Sequence, residues 1–193
     1  MTDPGSELPA RFGDLSFEAA ATLLAEQRLP PVDRWNPPDC GESHMEIRAD
    51  GSWWHNGGPI TRPALVKLFA SILRREADGS HVLVTPHEKQ RVAVADLPFR
   101  AVEMLTNGAG EHRCLIFRLD TGDLVAAGPG HPLRFDVEGD QLRPALHVRG
   151  IIGNGLEARV SRSLYYEIVE LALAEGCEPP VIWSGGCRFV LAA

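Results

Sequence analysis

A turn between two short strand patterns, followed by a helix pattern, occurs twice in this chain, about one hundred residues apart. The turn is Asp50–Gly51 in the first copy and Asn154–Gly155 in the second. Asp-Gly and Asn-Gly are strong signals for a tight hairpin, in which both turn residues have positive φ. A chain that repeats such a unit builds two related sheets, and this constrains the fold more than any single motif does.

Each hairpin is followed by a predicted amphipathic helix. Thr61 and Ser161 are candidate N-caps, and an arginine, Arg62 or Arg162, comes directly after each. At an offset of 100 the two apolar faces align as Leu65, Leu68, Phe69, Ile72 and Leu73 with Tyr165, Ile168, Val169, Ala172 and Leu173. Two further short strands follow each helix, at 81–85 and 91–95 and at 181–183 and 189–191. We therefore predict a hairpin, helix, hairpin unit that occurs twice.

The remaining segments complete the predicted architecture. Ser16 is the N-cap of a short helix that ends before Pro30 and Pro31, and Trp35 pins the extended connector over residues 30–41 to the core. Four strands joined by N-G-A-G, D-T-G-D and G-P-G-H turns, with an E-G-D turn after the last, form a meander between the two units: 101–106, 113–119, 124–127 and 133–137.

These elements predict an α+β protein with two related units, each a curved antiparallel sheet packed around one helix, plus an N-terminal helix. The predicted organisation is an N-terminal helix and connector (1–41), a first unit (42–98), and a meander with the second unit (99–193).

The segment W-H-N-G-G, residues 54–58, makes the first unit longer than the second. The arginine after the predicted helix cap follows the turn glycine by eleven positions in the first unit and by seven in the second. A bulge or local loop at the end of a strand accounts for the difference. His55 is then either a strand-end residue packed on Trp53 or Trp54, or a reactive group that needs partners from elsewhere in the chain.

Composition and charge disfavour several classes of protein. The chain has 44% hydrophobic and 23% charged residues, which is typical of a soluble globular protein. Its net charge is −7 and it has no basic block, which disfavours nucleic acid as a partner. No apolar run is long enough to span a membrane, and the N-terminus does not resemble a leader, so we expect a cytoplasmic protein.

Four cysteines lie far apart without C-x-x-C spacing, which favours reduced thiols and no zinc site. The set most similar to a zinc site is Cys40, His44 and His55, and it lacks a fourth ligand and the usual spacing. We predict no metal and no cofactor.

Four stretches of this chain resemble one bacterial family, which is described as a domain of unknown function with family number 1285. They are GSWWHNGGPITR (51–62), VTPHEK (84–89) with DLPF (96–99), GDLVAAGPGHPLR (122–134), and LHVR followed by GLEARVSR (146–162). The resemblance implies two similar units, each with a sheet curved as a half-barrel around a helix, like pleckstrin-homology-like domains. It also implies a role in signal transduction, without an activity or a cofactor.

Three candidate site residues lie in predicted turns. Glu88 and Lys89 occupy the turn of a hairpin, where they are either solvated or recognise a partner or ligand. His131 lies in G-P-G-H-P-L-R, where turn geometry explains the glycines and prolines and leaves the histidine unexplained.

Arginines form the other candidate set. Arg149, Glu157 and Arg159 lie on neighbouring strands, and a cross-strand ion network is the simplest prediction. Arg62 and Arg162 lie at helix starts, where the helix dipole disfavours a cation. Either a carboxylate from the other unit or an anionic ligand at two equivalent sites would offset each charge.

Three functional hypotheses follow. The first is a non-enzymatic cytoplasmic module that binds a protein partner or a small anionic ligand at the junction of its two units, with no nucleic acid and no membrane span. The alternative is a hydrolase-like or transferase-like enzyme that uses His55 or His131 with Glu88 as base and Arg159 or Arg162 for an anionic substrate. The third is homo-oligomerisation through sheet edges at 113–119 or in the C-terminal hairpin.

Overall fold

The computed structural model describes residues 12–138 and 141–191, and it has the predicted α+β architecture. The helices in these residues are α1 (Phe17–Glu26), α2 (Pro63–Ser71) and α3 (Arg162–Ala174). The strands are β1 (Asp39–Ile47), β2 (Trp53–His55), β3 (Gly58–Pro59), β4 (Leu73–Arg75), β5 (His81–Val84), β6 (Lys89–Val94), β7 (Phe99–Asn107), β8 (Cys114–Leu119), β9 (Leu124–Ala126), β10 (Leu133–Glu138), β11 (Gln141–Arg149), β12 (Leu156–Val160), β13 (Val181–Ser184) and β14 (Cys187–Val190). The predicted E-G-D turn includes residues 139 and 140, which lie outside the described residues.

The first unit is a six-stranded sheet with the order β3-β2-β1-β6-β5-β4. Neighbouring strands are antiparallel except at the centre, where β1 and β6 are parallel and Glu46 lies opposite Ala93. The sheet therefore consists of two three-stranded meanders joined by a parallel pair, and is not antiparallel throughout.

The second unit has the same topology. Its order is β10-β11-β12-β7-β8-β9, and its central pair, β12 and β7, is again parallel, with Arg159 opposite Arg100. In both sheets the first and last strands along the chain form the central pair. The prediction of two related units is therefore confirmed.

The repeating unit is nevertheless not the predicted hairpin, helix, hairpin. Helix α2 lies between the third and fourth strands of the first sheet, whereas α3 follows the sixth strand of the second. After α2 the chain continues into the first sheet, but after α3 it forms a separate two-stranded sheet, β13–β14. The offset of 100 pairs two helices in non-equivalent positions, because all amphipathic helices share one period.

Two predictions about strand neighbours are also wrong. The four middle strands do not form one meander, because β9 and β10 lie at opposite edges of the second sheet. Strand β8, predicted as a free edge, pairs with both β7 and β9. The edge strand β9 is itself covered by α1, where the Gln27 side chain bonds to both the backbone N–H and the carbonyl of Leu124.

One hydrophobic cluster spans both sheets. It includes the buried Ile47 and Trp53 of the first unit and Phe99 and Leu146 of the second, with Ile168 of α3 packed into the same cluster. Trp53 is only 2% exposed. Because apolar burial is the main stabilising contribution to folding, the two units stabilise each other through this shared core.

The predicted caps of α1 and α3 are confirmed. The Ser16 hydroxyl accepts a hydrogen bond from the Ala19 N–H at 3.1 Å, and the Ser161 hydroxyl accepts one from the Leu164 N–H at 3.4 Å. Each satisfies an N–H that has no partner within the helix.

The start, end and buried face of α2 differ from the prediction. Its N-cap is Arg62 instead of Thr61, because Pro63 takes the first helical position, where its missing N–H costs nothing. The helix ends at Ser71, and Leu73 belongs to β4. Leu68 is 55% exposed, and the residue that α2 buries fully is Ala70. In α3, Leu173 of the predicted face is likewise exposed.

The tight two-residue turn with positive φ lies in W-H-N-G-G. Asn56 and Gly57 have φ of 49° and 77°, and they connect β2 to β3. The extra residues of the first unit thus form a second hairpin, not a bulge. At Asp50–Gly51 only the glycine has positive φ. At Asn154–Gly155 neither residue does, because the connection is a longer loop that begins at Gly150.

None of the helices in the described residues is both long and apolar enough to cross a membrane.

Candidate functional site

Two concavities lie where the two units meet. The first, which we call the junction cavity, has a volume of about 540 Å³. It lies between β4 of the first unit, the 3-10 turn Val32–Arg34 of the connector, and the loop from β11 to β12 of the second unit. The second, which we call the arginine cleft, has a volume of about 770 Å³ and lies between the segment after β6, the start of β7, strands β11 and β12, and the start of α3.

A local irregularity in β11 directs Arg149 into the junction cavity. His147 lies opposite Glu157, and the register then shifts by one residue. As a result Arg149 lies opposite Leu156, which is buried, and not opposite a residue on the outer face of β12. A bulge of this kind moves the following side chain to the other face of a sheet. Arg149 therefore faces the core side, away from Glu157.

The guanidinium of Arg149 binds backbone oxygens of the first unit. It donates to the Leu73 carbonyl at 2.8 Å and, over a shorter contact, to the Ala70 carbonyl, and it lies 5.9 Å from the Phe99 ring. Its Nε is buried without a hydrogen-bond partner, and in the described residues no carboxylate lies within ion-pair distance of it. Burial lowers the pKa of Arg149, and the charges of Asp123 and Asp33 oppose this from beyond ion-pair distance. Because a guanidinium remains protonated, the cavity wall contains a cation without a direct carboxylate partner in the described residues.

Two more arginines line the junction cavity. Arg74 pairs with Glu76 at 2.6 Å, and Lys89 pairs with the same carboxylate at 3.1 Å. Burial opposes ionisation of Glu76, but its hydrogen bonds from Arg74 and Lys89 lower its pKa below the ordinary value. Arg75 donates to the Gly79 carbonyl at 3.3 Å and has no carboxylate partner in the described part of the chain. With Asp33, the lining carries three guanidinium groups and two carboxylates.

The rest of the junction cavity is apolar. Val32, Leu73 and Leu156 are buried and contribute to its wall, whereas Ile151 at its rim is 76% exposed. Asn154 joins the loop to the first unit through its side-chain amide, which lies 3.4 Å from the carbonyl oxygens of Glu76 and Ala77. The cavity thus combines cationic groups with an apolar surface.

The arginine cleft is built around Asp96, which lies between β6 and β7. Arg159 donates two hydrogen bonds to its carboxylate, at 2.6 and 3.0 Å, and Arg143 donates one at 2.8 Å. The pKa of Asp96 is lowered, mainly by the hydrogen bond from Arg159. Burial opposes this shift, and the charges of Arg159 and Arg143 add to it. This carboxylate therefore fixes the segment between the units to the second sheet.

Arg162 lines the same cleft, and in the described residues it has no ion pair with a carboxylate of the other unit, which was one of the two predicted ways to offset its charge. Its guanidinium donates to the Tyr166 hydroxyl at 3.1 and 3.2 Å, one turn along α3. Arg62 is exposed, caps α2 and lines neither concavity. The predicted equivalence of Arg62 and Arg162 is therefore wrong, because α2 and α3 occupy different places in their units.

The predicted network of Arg149, Glu157 and Arg159 does not form. Glu157 accepts two hydrogen bonds from Arg134 of β10, at 2.7 and 2.8 Å, while Arg159 binds Asp96. The bulge before Arg149 separates it from the other two. Each of the three predicted residues therefore has its own partner.

His131 packs against a second histidine. Its ring is stacked on His147 with centroids 6.3 Å apart, and its Nδ1 lies 3.3 Å from the His147 carbonyl oxygen. His147 is only 3% exposed, and burial lowers its pKa. The contacts give His131 a packing role beside β11.

The structure does not bring His55 and Glu88 together. His55 lies opposite Met45 near one end of β1, whereas Lys89, next to Glu88, lies opposite Asp39 at the other end. Six residues of strand separate these positions, roughly 15–20 Å. In the described residues no hydrogen bond joins any two of His55, Glu88, His131 and Arg162. The pair of His55 and Glu88 in the enzymatic hypothesis is therefore not assembled.

His55 and Lys89 have local partners. The His55 ring is exposed, and its Nε2 lies 3.2 Å from the Asn56 amide nitrogen. In the described residues no ring contact joins it to Trp53 or Trp54, so the predicted packing on a tryptophan is not found. Lys89 pairs with Glu76, and the Glu88 side chain is exposed. In residues 12–138 and 141–191 there is no group of three His, Cys, Asp or Glu side chains that could hold a metal ion.

Sequence reasoning missed several residues of the two concavities: Arg74, Arg75, Asp96, Arg100, Arg143 and Tyr166. Two signals were available. The Arg74–Arg75 pair directly follows a helix, and Asp96 opens the D-L-P-F segment between the units. Neither signal identifies a partner, because the groups that these residues meet are distant in sequence.

Known proteins resemble this chain over most of its length. The family described as "Domain of unknown function (DUF1285), N-terminal domain" matches residues 30–97, and "Protein of unknown function (DUF1285), C-terminal domain" matches residues 98–191. No curated protein matches the chain.

Two crystal structures are similar. A DUF1285 family protein from Silicibacter pomeroyi DSS-3 is 38% identical, with a TM-score of 0.77, over 92% of this chain and 95% of that one. A DUF1285 family protein from Shewanella baltica OS155 is 29% identical, with a TM-score of 0.51, over 66% of this chain and 91% of that one. By its sequence matches and its fold, this chain belongs to the DUF1285 family.

Proposed function

We propose that this protein is a non-enzymatic binding module that holds a small organic anion in the junction cavity. The observation that carries the proposal is the guanidinium of Arg149, which lies in the cavity wall and has no carboxylate partner in the described residues. A largely desolvated charge is costly unless it is paired, and the carboxylate or phosphate of a ligand would supply the direct partner that Asp33 and Asp123 do not.

The composition of the cavity indicates the kind of anion. Arg75 supplies a second guanidinium without a carboxylate partner, and Leu73, Leu156 and Val32 supply an apolar wall. A volume of about 540 Å³ lies within the usual range for small-molecule sites. An anion with an apolar body, such as an organic acid, complements both parts of the lining.

The lining also favours binding over catalysis. In the described residues that form it there is no Ser, Thr, Cys, His or Lys side chain. Of its two carboxylates, Glu76 is held by Arg74 and Lys89 with a lowered pKa, which makes it a poor base. The site thus offers recognition groups without an evident nucleophile.

We further propose that the module acts in the cytoplasm, in signal transduction. Two free thiols, Cys40 and Cys177, are exposed, which supports a reducing compartment. The curved six-stranded sheets support the likeness to pleckstrin-homology-like half-barrels from which the signalling role is inferred. The ligand would then be the signal, bound between two units that share one core.

The experiment is a ligand search followed by a matched pair of variants. Native mass spectrometry of freshly purified protein identifies a co-purified molecule, and thermal unfolding with a panel of monocarboxylates, dicarboxylates and phosphate monoesters identifies anions that stabilise the fold. We expect at least one organic anion to raise the Tm by several degrees. Arg75→Gln should weaken its binding about 10-fold or more, whereas Arg188→Gln, at an exposed position of β14 outside the cavity, should leave it unchanged.

Arg149 needs separate treatment because it also binds two backbone carbonyls. Arg149→Lys keeps a positive charge with fewer donors, and it should weaken anion binding less than Arg149→Met does. A panel in which no anion raises the Tm, or in which Arg75→Gln and Arg188→Gln bind alike, would contradict the proposed function.

A further inference from the structure

The arginine cleft has a strong local excess of positive charge. In the described residues its lining includes four guanidinium groups, from Arg100, Arg143, Arg159 and Arg162, and one carboxylate, from Asp96, and the formal charges of these five groups sum to +3. The whole chain carries −7. Concentration of cationic side chains in one cleft of an acidic protein favours an anionic partner at that place.

The only lining carboxylate in the described residues, Asp96, is already bound by Arg159 and Arg143. Two arginines of the cleft have no carboxylate within ion-pair distance in the part of the chain that the structure describes. Arg100 donates to the Ala49 carbonyl at 3.0 Å, and Arg162 donates to the Tyr166 hydroxyl. Both guanidinium groups keep unused N–H donors, because each carries five.

The cleft also presents aromatic surface at the protein exterior. Tyr166 is 52% exposed, and the Arg162 guanidinium lies 5.7 Å from the centre of its ring. Tyr165, beside it in the cleft, is partly buried and contacts both Tyr166 and Phe135. Arginine and tyrosine are, with tryptophan, enriched at protein interaction hot spots, where they combine directed hydrogen bonds with apolar area.

We propose that the arginine cleft is a docking site for an acidic segment of a partner protein. The cations come from four different elements of the second unit, and the two that have no carboxylate partner, Arg100 and Arg162, lie on different elements, β7 and α3. The exposed Arg162, Tyr166 and Ala95 make the cleft a surface groove that an extended segment can enter. Carboxylates of the segment would take the free donors of Arg100 and Arg162, and its apolar atoms would pack on Tyr166.

The test uses the full chain and a fluorescein-labelled peptide of six alternating Glu and Asp residues flanked by Gly, with a peptide of the same length containing Lys as the charge control. Fluorescence anisotropy measures the Kd at two salt concentrations. We expect the acidic peptide to bind, the Lys peptide not to bind, and the affinity to fall as salt rises. Arg162→Gln should raise the Kd about 5- to 10-fold, and Arg100→Gln with Arg162→Gln should raise it further.

Arg62→Gln is the matched control, because Arg62 is also an exposed arginine at a helix start but lies outside the cleft. It should change the Kd less than 2-fold. Equal effects of Arg62→Gln and Arg162→Gln, or no binding of the acidic peptide, would overturn the proposal. Displacement of the peptide by pyrophosphate at lower concentrations than by free peptide would also overturn it, in favour of a small polyphosphate. Arg75→Gln, which tests the junction cavity, should leave peptide binding unchanged.

Discussion

Arg149 shows how one irregular position decides the chemistry of a site. In a regular strand its side chain would lie on the same face as those of Glu157 and Arg159, and the three would form an exposed ion network. The register shift after His147 places it opposite Leu156, with its guanidinium on carbonyl oxygens of the first unit. A residue that regular alternation assigns to the surface therefore becomes the main cation of the junction cavity.

His81 gives a prediction at the residue scale, on the pH dependence of stability. It lies at the start of β5, opposite Arg75, and burial together with the Arg75 charge lowers its pKa from 6.5 to about 4. The unfolded chain takes up this proton below about pH 6.5, whereas the folded chain takes it up only near pH 4. The free energy of unfolding should therefore fall as the pH drops from 6.5 to 4, and the His81 contribution should not change further below pH 4.

We expect the loss to be about 1–2 kcal/mol, since partial exposure of the ring reduces the full effect of the pKa shift. Urea unfolding at pH 7.5, 6 and 5 measures it. His81→Gln should have a shallower dependence than the wild type in this range. Parallel pH profiles for the two proteins would show that His81 does not cause the decline.

The loop between β11 and β12 gives a prediction at the element scale. It contains three glycines, of which Gly155 has ordinary φ but no room for a side chain. A Cβ there would collide with the Arg149 carbonyl oxygen and the His147 ring. We expect Gly155→Ala to lower the free energy of unfolding by about 2–3 kcal/mol, because the loop must move away from β11.

Gly153→Ala is the control for this prediction. Gly153 has φ of 88° and open space around its Cα, so the substitution adds backbone strain of about 1 kcal/mol without a collision. Urea unfolding of both variants measures the difference. A loss for Gly155→Ala no greater than that for Gly153→Ala would show that the close approach to β11 does not matter.

Elements were predictable where their signals are local. The serine caps of α1 and α3 depend on a hydrogen bond over three residues, and both are present. The cap and face of α2 were wrong because Pro63 set the start of the helix and because the next strand, β4, begins at Leu73. Amphipathic spacing places Leu73 on the buried side whether it lies in a last turn of α2 or in the short strand β4, so the spacing could not distinguish the two.

The segment between the two sheets gives a prediction for the whole molecule. Asp96 binds Arg159 and Arg143, and so joins the end of the first unit to the second sheet. We expect Asp96→Asn to lower the free energy of unfolding by about 2–3 kcal/mol, because Arg159 loses a largely buried counter-ion. Chemical denaturation of the full chain measures this loss.

Asp39→Asn is the matched control, since Asp39 also pairs with an arginine, Arg91, but both side chains are substantially exposed. Exposed ion pairs contribute little, so the loss should be much smaller than that of Asp96→Asn. Equal losses for the two variants would indicate that Asp96 does not hold the units together.

Local sequence was sufficient to predict most strands, two helix caps, the α+β class and the presence of two related units, because hydrogen-bonded turns and alternating burial leave their pattern within a few residues. Only the folded chain decided that β1 pairs with β6 and β12 with β7, that α2 and α3 occupy different places, and that Arg149 and Asp96 meet groups of the other unit. These pairings join residues up to about eighty positions apart. They depend on which arrangement of the strands buries the shared core best. The free energy of that burial is a sum over contacts of the whole chain, so no single segment encodes it.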